Sequence, residues 1–170
     1  MDFTIRQESQ EDYQAVYALN ALAFGQSKEA ILVDKLRIGE AFVPELSLVA
    51  TSHEKVVGHI LFIKIYITPH NRVSLALAPM AVMPGYQRQG IGEALIQHGL
   101  LKAKDLNFSS IIVLGHADYY PKFGFLPAEK WGIRAPFEVP SEAFMALELV
   151  KGGLANVAGV VKYPKEFEEV

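Results

Sequence analysis

Between Met83 and Leu95 the chain reads MPGYQRQGIGEAL. Pro84 and Gly85 stop an apolar run, the polar triplet Gln87-Arg88-Gln89 follows, and Gly90-Ile91-Gly92 leads into helical spacing. A helix N-terminus presents unpaired amides at the positive end of the helix dipole and so favours an anion. Glycines let that backbone approach a phosphate closely, and Arg88 would add charge to the same place. A plain strand-to-helix turn accounts for the glycines equally well, and a solvated surface arginine accounts for Arg88. Two familiar nucleotide loops are excluded. A P-loop needs a Gly-Lys-Ser/Thr ending, and a dinucleotide fingerprint needs a small residue where Leu95 stands.

Titratable side chains form a second group. His116 closes the run SSIIVLG and precedes Tyr120 of YYPKFGF. An unperturbed imidazole titrates near 6.5 and could take an amine proton directly or through water, or could simply shape a loop. Asp118 could orient it or bind a cationic acceptor. His59, in VVGHILFIKI, lines a cleft or is a satisfied strand histidine, the second being the better reading. His98 falls on the buried stripe of the helix after Gly90 and reads as structural. The five histidines show no His/Asp/Glu triad at ligand spacing, so no metal site is expected. Cysteine is absent, which excludes disulfides, a thiolate nucleophile and cysteine metal sites.

The elements that must position these groups alternate in type. Phe3 to Arg6 reads as a first strand. Ser9 with Asp12 resembles a capping box, opening a helix with Tyr13, Val16, Tyr17 and Asn20 on one stripe. Ser27 can cap a second helix whose Ile31, Leu32 and Leu36 share a face before Gly39. Two β-branched runs around TSHEK predict a hairpin. Ser74 to Val82 reads as a strand covered on both faces, and Pro79 within it predicts a bulge. From Gly90 to Leu106 the period is helical, with Ile91, Ala94, Leu95 and Leu101 on one stripe. SSIIVLG, AFMALEL and VAGVVKY read as later strands, and ADYYPKFGF as a short helix or turn.

The chain has 170 residues and a formal net charge of -3. That length suits one domain spanning 1-170, and the charge argues against nonspecific nucleic-acid binding. No apolar run approaches the roughly 20 residues of a membrane span, and the N-terminus lacks a signal-like apolar segment. A cytoplasmic protein is the expectation.

Taken together, these stretches resemble the GNAT N-acetyltransferase superfamily. Gln87, Arg88, Gln89, Gly90, Ile91 and Gly92 match its signature, Arg/Gln-x-x-Gly-x-Gly/Ala, and YYPKFGF looks like its Phe/Leu-Tyr-x-Lys-x-Gly-Phe element. The resemblance implies an α/β (α+β) fold: a mixed, mostly antiparallel central sheet of about 6-7 strands flanked by about 4 helices, with a bulged, splayed fourth strand. It implies acetyl-coenzyme A as cosubstrate. Its pyrophosphate would lie on Gln87 to Gly92 and its pantetheine arm along Met80, Ala81 and Val82. Tyr120 would face the sulfur, where a phenol of pKa about 10 can donate to a thiolate of about 8.5. His116 is the candidate base.

The family's asparagine after the fifth strand has no counterpart in VLGHADYY, and Pro121 shortens the helix expected there. The implied reaction is transfer of an acetyl group to a primary amine of a small molecule by direct attack, with the tyrosine as general acid. Acetylation of a protein N-terminus or lysine, or non-catalytic sensing of acyl-coenzyme A, are the alternatives. No nucleic-acid or membrane partner is expected; homodimers are common in the family. Acceptor choice should lie with the first two helices and the loops around Trp131 and Gly152-Gly153. Trp131 with Phe137 either walls an apolar cleft or caps the core.

Overall fold

The computed structural model describes residues 2-170. The strands are β1 (Thr4–Gln7), β2 (Phe42–Ser52), β3 (Lys55–Thr68), β4 (Arg72–Val82), β5 (Ser110–Leu114), β6 (Leu126–Pro127), β7 (Ile133–Arg134), β8 (Phe144–Glu148) and β9 (Gly159–Lys162). The helices are α1 (Tyr13–Phe24), α2 (Lys28–Arg37) and α3 (Ile91–Asp105). Hydrogen bonding runs in the order β1-β2-β3-β4-β5-β8-β6, with β9 joined to β3 and to β7. The ladders β4–β5 and β7–β9 are parallel, whereas β1–β2, β2–β3, β3–β9, β5–β8 and β6–β8 are antiparallel. This is the mixed, mostly antiparallel sheet flanked by helices that the resemblance implies. The chain packs as two compact units, residues 1-63, 78-102 and 165-170 in one and residues 64-77 and 103-164 in the other.

In the first unit, β2 and β3 form the expected hairpin. His53 and Glu54 both take positive φ, 51° and 66°, as a two-residue turn between twisted strands requires. Alternation along β3 then sends neighbouring side chains to opposite faces. Gly58 and Phe62 meet α3: a Cβ on Gly58 would stand 2.8 Å from Ile91 Cγ2, and one on Gly99 would run into the Phe62 ring. Ile91, Leu95, Ile96 and Ala103 are buried, so the contact line of α3 is centred near Leu95 and Gly99. His98 and Leu101, expected on the buried stripe, are exposed for that reason; His98 Nδ1 lies 3.0 Å from the Ala94 carbonyl. Ile31 is likewise exposed, and α2 instead buries Ala30, Leu32, Val33 and Leu36.

The other face of β3 carries His59, which is fully buried. Its Nε2 is 3.1 Å from Ser47 Oγ, which donates to Glu8 Oε1 at 2.9 Å. Arg37, the last residue of α2, donates to both Glu8 oxygens, at 3.2 and 2.8 Å. Its guanidinium also lies 3.8 Å from the centre of the Tyr13 ring on α1. One buried cluster therefore ties the ends of β1 and α2 to β2, β3 and α1. His59 Nδ1 has no hydrogen-bond partner among the described residues. The satisfied strand histidine is thus satisfied at one nitrogen. The Ser9 amide donates to Asp12 Oδ2 at 2.8 Å, the predicted capping interaction with Asp in place of Glu, and it caps a 3-10 turn, Gln10–Asp12, that leads directly into α1. Ser27 occupies the N-cap position of α2 without a side-chain cap bond.

In the second unit, β4 and β5 pair at Leu75↔Ile111 and Ala76↔Ile112, and the buried Ser74 and Ser110 hydroxyls lie 2.7 Å apart. The peptide Ala78–Pro79 that follows on β4 is cis. β5 and β8 pair from Ser110↔Glu148 to Leu114↔Phe144. In place of a fourth helix the chain makes one 3-10 turn, Tyr120–Phe123. Gly124, at φ 101°, reverses the chain there, and its amide closes on the Pro121 carbonyl at 2.9 Å. Two-residue strands β6 and β7 add to the count expected from sequence, because such short pieces carry no periodicity.

Two outcomes follow for stability. Gly99→Val should cost about 1–3 kcal/mol in urea unfolding, since the Phe62 ring must move to admit the branched side chain. Burial, reinforced by Arg37, lowers the His59 pKa to about 3. The unfolded imidazole takes up a proton near 6.5 that the folded one refuses, so stability should fall as pH drops from about 6.5 towards 3. In His59→Asn the acid limb of stability against pH should flatten over that window. An unchanged limb would show that His59 does not cause it.

Candidate active site

The loop after β4 is built within the first unit. Met83 N–H donates to the Val57 carbonyl at 2.8 Å, which fixes where the chain leaves the sheet, and Tyr86 N–H closes a turn on Met83 at 2.9 Å. Gln87 and Gln89 spend their side-chain amides inside the loop, on the carbonyls of Val82 (3.1 Å) and Gly85 (3.2 Å). Their role here is therefore structural, whatever their backbone amides bind. Arg88 sits at φ 62°, a costly conformation for a residue with a Cβ, and its exposed guanidinium has no partner among the described residues. Gly90, at φ 88°, has nothing within 4 Å of where a Cβ would stand. Ala94 N–H donates to Gly90 O at 3.0 Å and closes the first turn of α3. The amides of Ile91 and Gly92 precede that bond and lie outside the intrahelical ladder. Along β4, Ala81 is buried while Met80 and Val82 are half-buried. These nine residues, Met80 to Val82 and Gln87 to Gly92, thus lie on one strand-loop-helix segment, with open space over Gly90.

Tyr120 and His116 come together in the second unit. The Tyr120 ring packs against Gly115, where any Cβ would strike it, and meets the edges of Tyr119 (5.2 Å between centroids) and Phe125 (5.7 Å). It is 8% exposed, and its hydroxyl has no hydrogen-bond partner among the described residues. Burial, with a smaller push from Tyr119, raises the phenol pKa to about 12. The group is a packed phenol that keeps its proton to higher pH than an ordinary tyrosine, with its hydroxyl free to donate. His116 contributes its carbonyl, which accepts from the amides of Tyr119 (3.1 Å) and Tyr120 (3.4 Å). Its imidazole and the Asp118 carboxylate are exposed. Among the described residues, no group of three or more His, Cys, Asp or Glu is placed to hold a metal ion, and no helix is long and apolar enough to cross a membrane.

Of the two readings of Trp131 with Phe137, the cleft holds for Phe137 alone: the second unit has a cleft lined by Phe137 but not by Trp131. Sequence reasoning missed its charged lining, Glu129, Arg134 and Glu138. It also missed the Glu8–Ser47–Arg37–His59 cluster in the first. The alternation of charged and apolar residues in EKWGIRAPFEV was the one available signal for the cleft.

Residues 44–127 match the acetyltransferase (GNAT) domain model. The chain is 40% identical over 143 residues to the uncharacterized N-acetyltransferase YjhQ of Escherichia coli, covering 82% of this chain and 79% of that protein. It is 30% identical over 164 residues to the uncharacterized N-acetyltransferase YhbS of Escherichia coli, covering 96% of this chain and 97% of that one. The crystal structure of YhbS in complex with CoA superposes with a TM-score of 0.92 at 29% identity, covering 98% of this chain and 92% of that chain. A GNAT family acetyltransferase from Brucella melitensis in complex with acetyl-CoA gives 0.81 at 29% identity, covering 98% of both chains. These likenesses show the family: the chain belongs to the GNAT superfamily of acetyl-coenzyme A-dependent N-acetyltransferases.

Proposed function

We propose that the protein transfers the acetyl group of acetyl-coenzyme A to the primary amine of a small molecule by direct attack. The observation that carries this reading is the start of α3. Two backbone amides free of the helix ladder, open space over Gly90 and an unpartnered Arg88 guanidinium suit a diphosphate. The half-buried edge at Met80 and Val82 suits the pantetheine arm beside it. That two similar structures are described as complexes with CoA or acetyl-CoA supports the same ligand.

With no cysteine in the chain, a thioester on a cysteine is excluded, and the amine attacks the acetyl carbon itself. As the N–C bond forms and the C–S bond breaks, the sulfur gains charge and the nitrogen sheds a proton. Tyr120 donates its hydrogen bond to the departing sulfur. Its raised pKa keeps the donor protonated throughout the working range, so it stabilises the developing thiolate without being depleted. His116, exposed at the end of β5, accepts the amine proton directly or through water.

Acetyl-coenzyme A should raise the melting temperature of the wild type by mass action. Gly90→Val should abolish that shift while far-UV circular dichroism stays native; a retained shift would place the diphosphate elsewhere. Tyr120→Phe keeps the packed ring and should lower kcat about 100-fold with the acetyl-coenzyme A shift intact, measured as thiol release. In the wild type, the tyrosine-dependent part of the rate should persist through the range where an ordinary phenol near 10 ionises. Loss of that part in this range would contradict the donor role.

A further inference from the structure

Between β6 and β8 the second unit sends residues 128-143 on a long excursion, and this excursion encloses a cleft of about 660 Å³. Its floor is apolar. Ile133 and Phe144 are buried, and Phe137, 46% exposed, stacks on Tyr163 with centroids 6.1 Å apart and planes 26° apart. Its rim carries the exposed side chains of Glu129, Arg134 and Glu138. None of the three makes an ion pair or hydrogen bond through its side chain among the described residues, although charges of both signs share one cleft.

The position of the cleft is as informative as its lining. Phe144 pairs with Leu114 across β8 and β5, and Gly115 N–H donates to the Ala143 carbonyl at 2.9 Å. One wall of the cleft is thus hydrogen-bonded to the strand end that continues into His116 and Tyr120. That backbone link joins the cleft wall to the segment given proton-handling roles above.

Two carboxylates and one guanidinium around an apolar floor complement a molecule carrying both a positive nitrogen and a carboxylate on an apolar body. We propose that this cleft is the acceptor site, and that the acceptor is an amino-acid-like zwitterion with an aromatic or branched apolar side chain; the proposal rests on the acetyltransferase reading above. Arg134 takes the carboxylate in its two-pronged geometry, and Glu129 with Glu138 draws in the ammonium. The ammonium releases one proton to solvent before attack. The amine then forms the N–C bond as the C–S bond breaks, and its second lost proton is balanced by the one that the sulfur acquires. A polyamine would leave Arg134 facing like charge, and a simple anion would meet two carboxylates, so both are disfavoured by the same rim.

Binding of 4-fluoro-L-phenylalanine and 4-fluorophenethylamine to the full chain, read by fluorine NMR line broadening, tests this without relying on turnover. The wild type should bind the zwitterion more tightly than the amine. Arg134→Ala should weaken the zwitterion about five- to tenfold and leave the amine unchanged, whereas Glu129→Gln with Glu138→Gln should weaken both. The melting-temperature shift with acetyl-coenzyme A serves as the folding control for each variant. Failure of the wild type to broaden either probe, or binding indifferent to all these substitutions, would overturn the proposal. Failure of the acetyltransferase reading is separate: both probes would bind as expected, yet no thiol would be released with acetyl-coenzyme A present.

Discussion

The close packing of α3 on β3 in the first unit is the constraint on which the proposed coenzyme site depends. Two glycines make it possible, one on each element. Gly58 leaves room for Ile91 and Leu95, and Gly99 lets the Phe62 ring lie flush with the helix backbone. Interiors are packed near crystal density, so contact this tight fixes the axis of α3 in both position and rotation. The start of the helix follows from that. Its first amides, outside the intrahelical ladder, follow a loop that Gln87 and Gln89 hold from within. The proposed binding edge is made of backbone groups, which rotamers cannot adjust, so it depends on these supporting contacts.

The opposite face of the same strands is held by different physics. Glu8, Arg37, Ser47 and His59 form a nearly closed set of charged and polar partners, with the ion-paired side chains 7% and 2% exposed. Burying such a pair costs heavily in desolvation, so its net stabilisation is small, yet removing either member would strand the other. What the cluster supplies is definition. It admits one arrangement of α1, α2 and the first three strands, where apolar side chains alone would tolerate several. Tyr120 shows the third kind of support in the molecule. Its ring is held by a glycine and neighbouring aromatic rings, with no polar tie among the described residues, so its hydroxyl stays uncommitted.

The parts of this structure that were legible in the sequence are those written in local spacing. The switch from strand to helical period at Gly90, the left-handed hairpin at His53–Glu54 and the Ser9–Asp12 cap all depend on residues within a few positions of one another. The buried cluster depends on partners 29, 39 and 12 residues apart, each ordinary in its own segment. His98 and Leu101 were misplaced because helical spacing gives the width of a stripe, whereas its centre was set by Gly99, a residue that no hydropathy pattern counts as apolar contact. Glu129, Arg134 and Glu138 stand at no spacing that marks a shared site. They share a cleft only because the path through β7 bends the chain around it.

The Ser74–Ser110 hydroxyl pair bears on the site from a distance. β4 and β5 are short of polar landmarks, and runs of Leu, Ile, Val and Ala slide past one another with little penalty. A buried hydroxyl that loses its partner costs about 1–3 kcal/mol, so a slipped pairing would be penalised at both strands at once. The pair works as an indexing pin. It sets the residue at which β5 runs out, and so where Gly115 receives the Tyr120 ring and where the wall at Ala143 and Phe144 must stand. Two small side chains in an apolar sheet thereby determine the placement of a phenol and a cleft wall that neither of them touches.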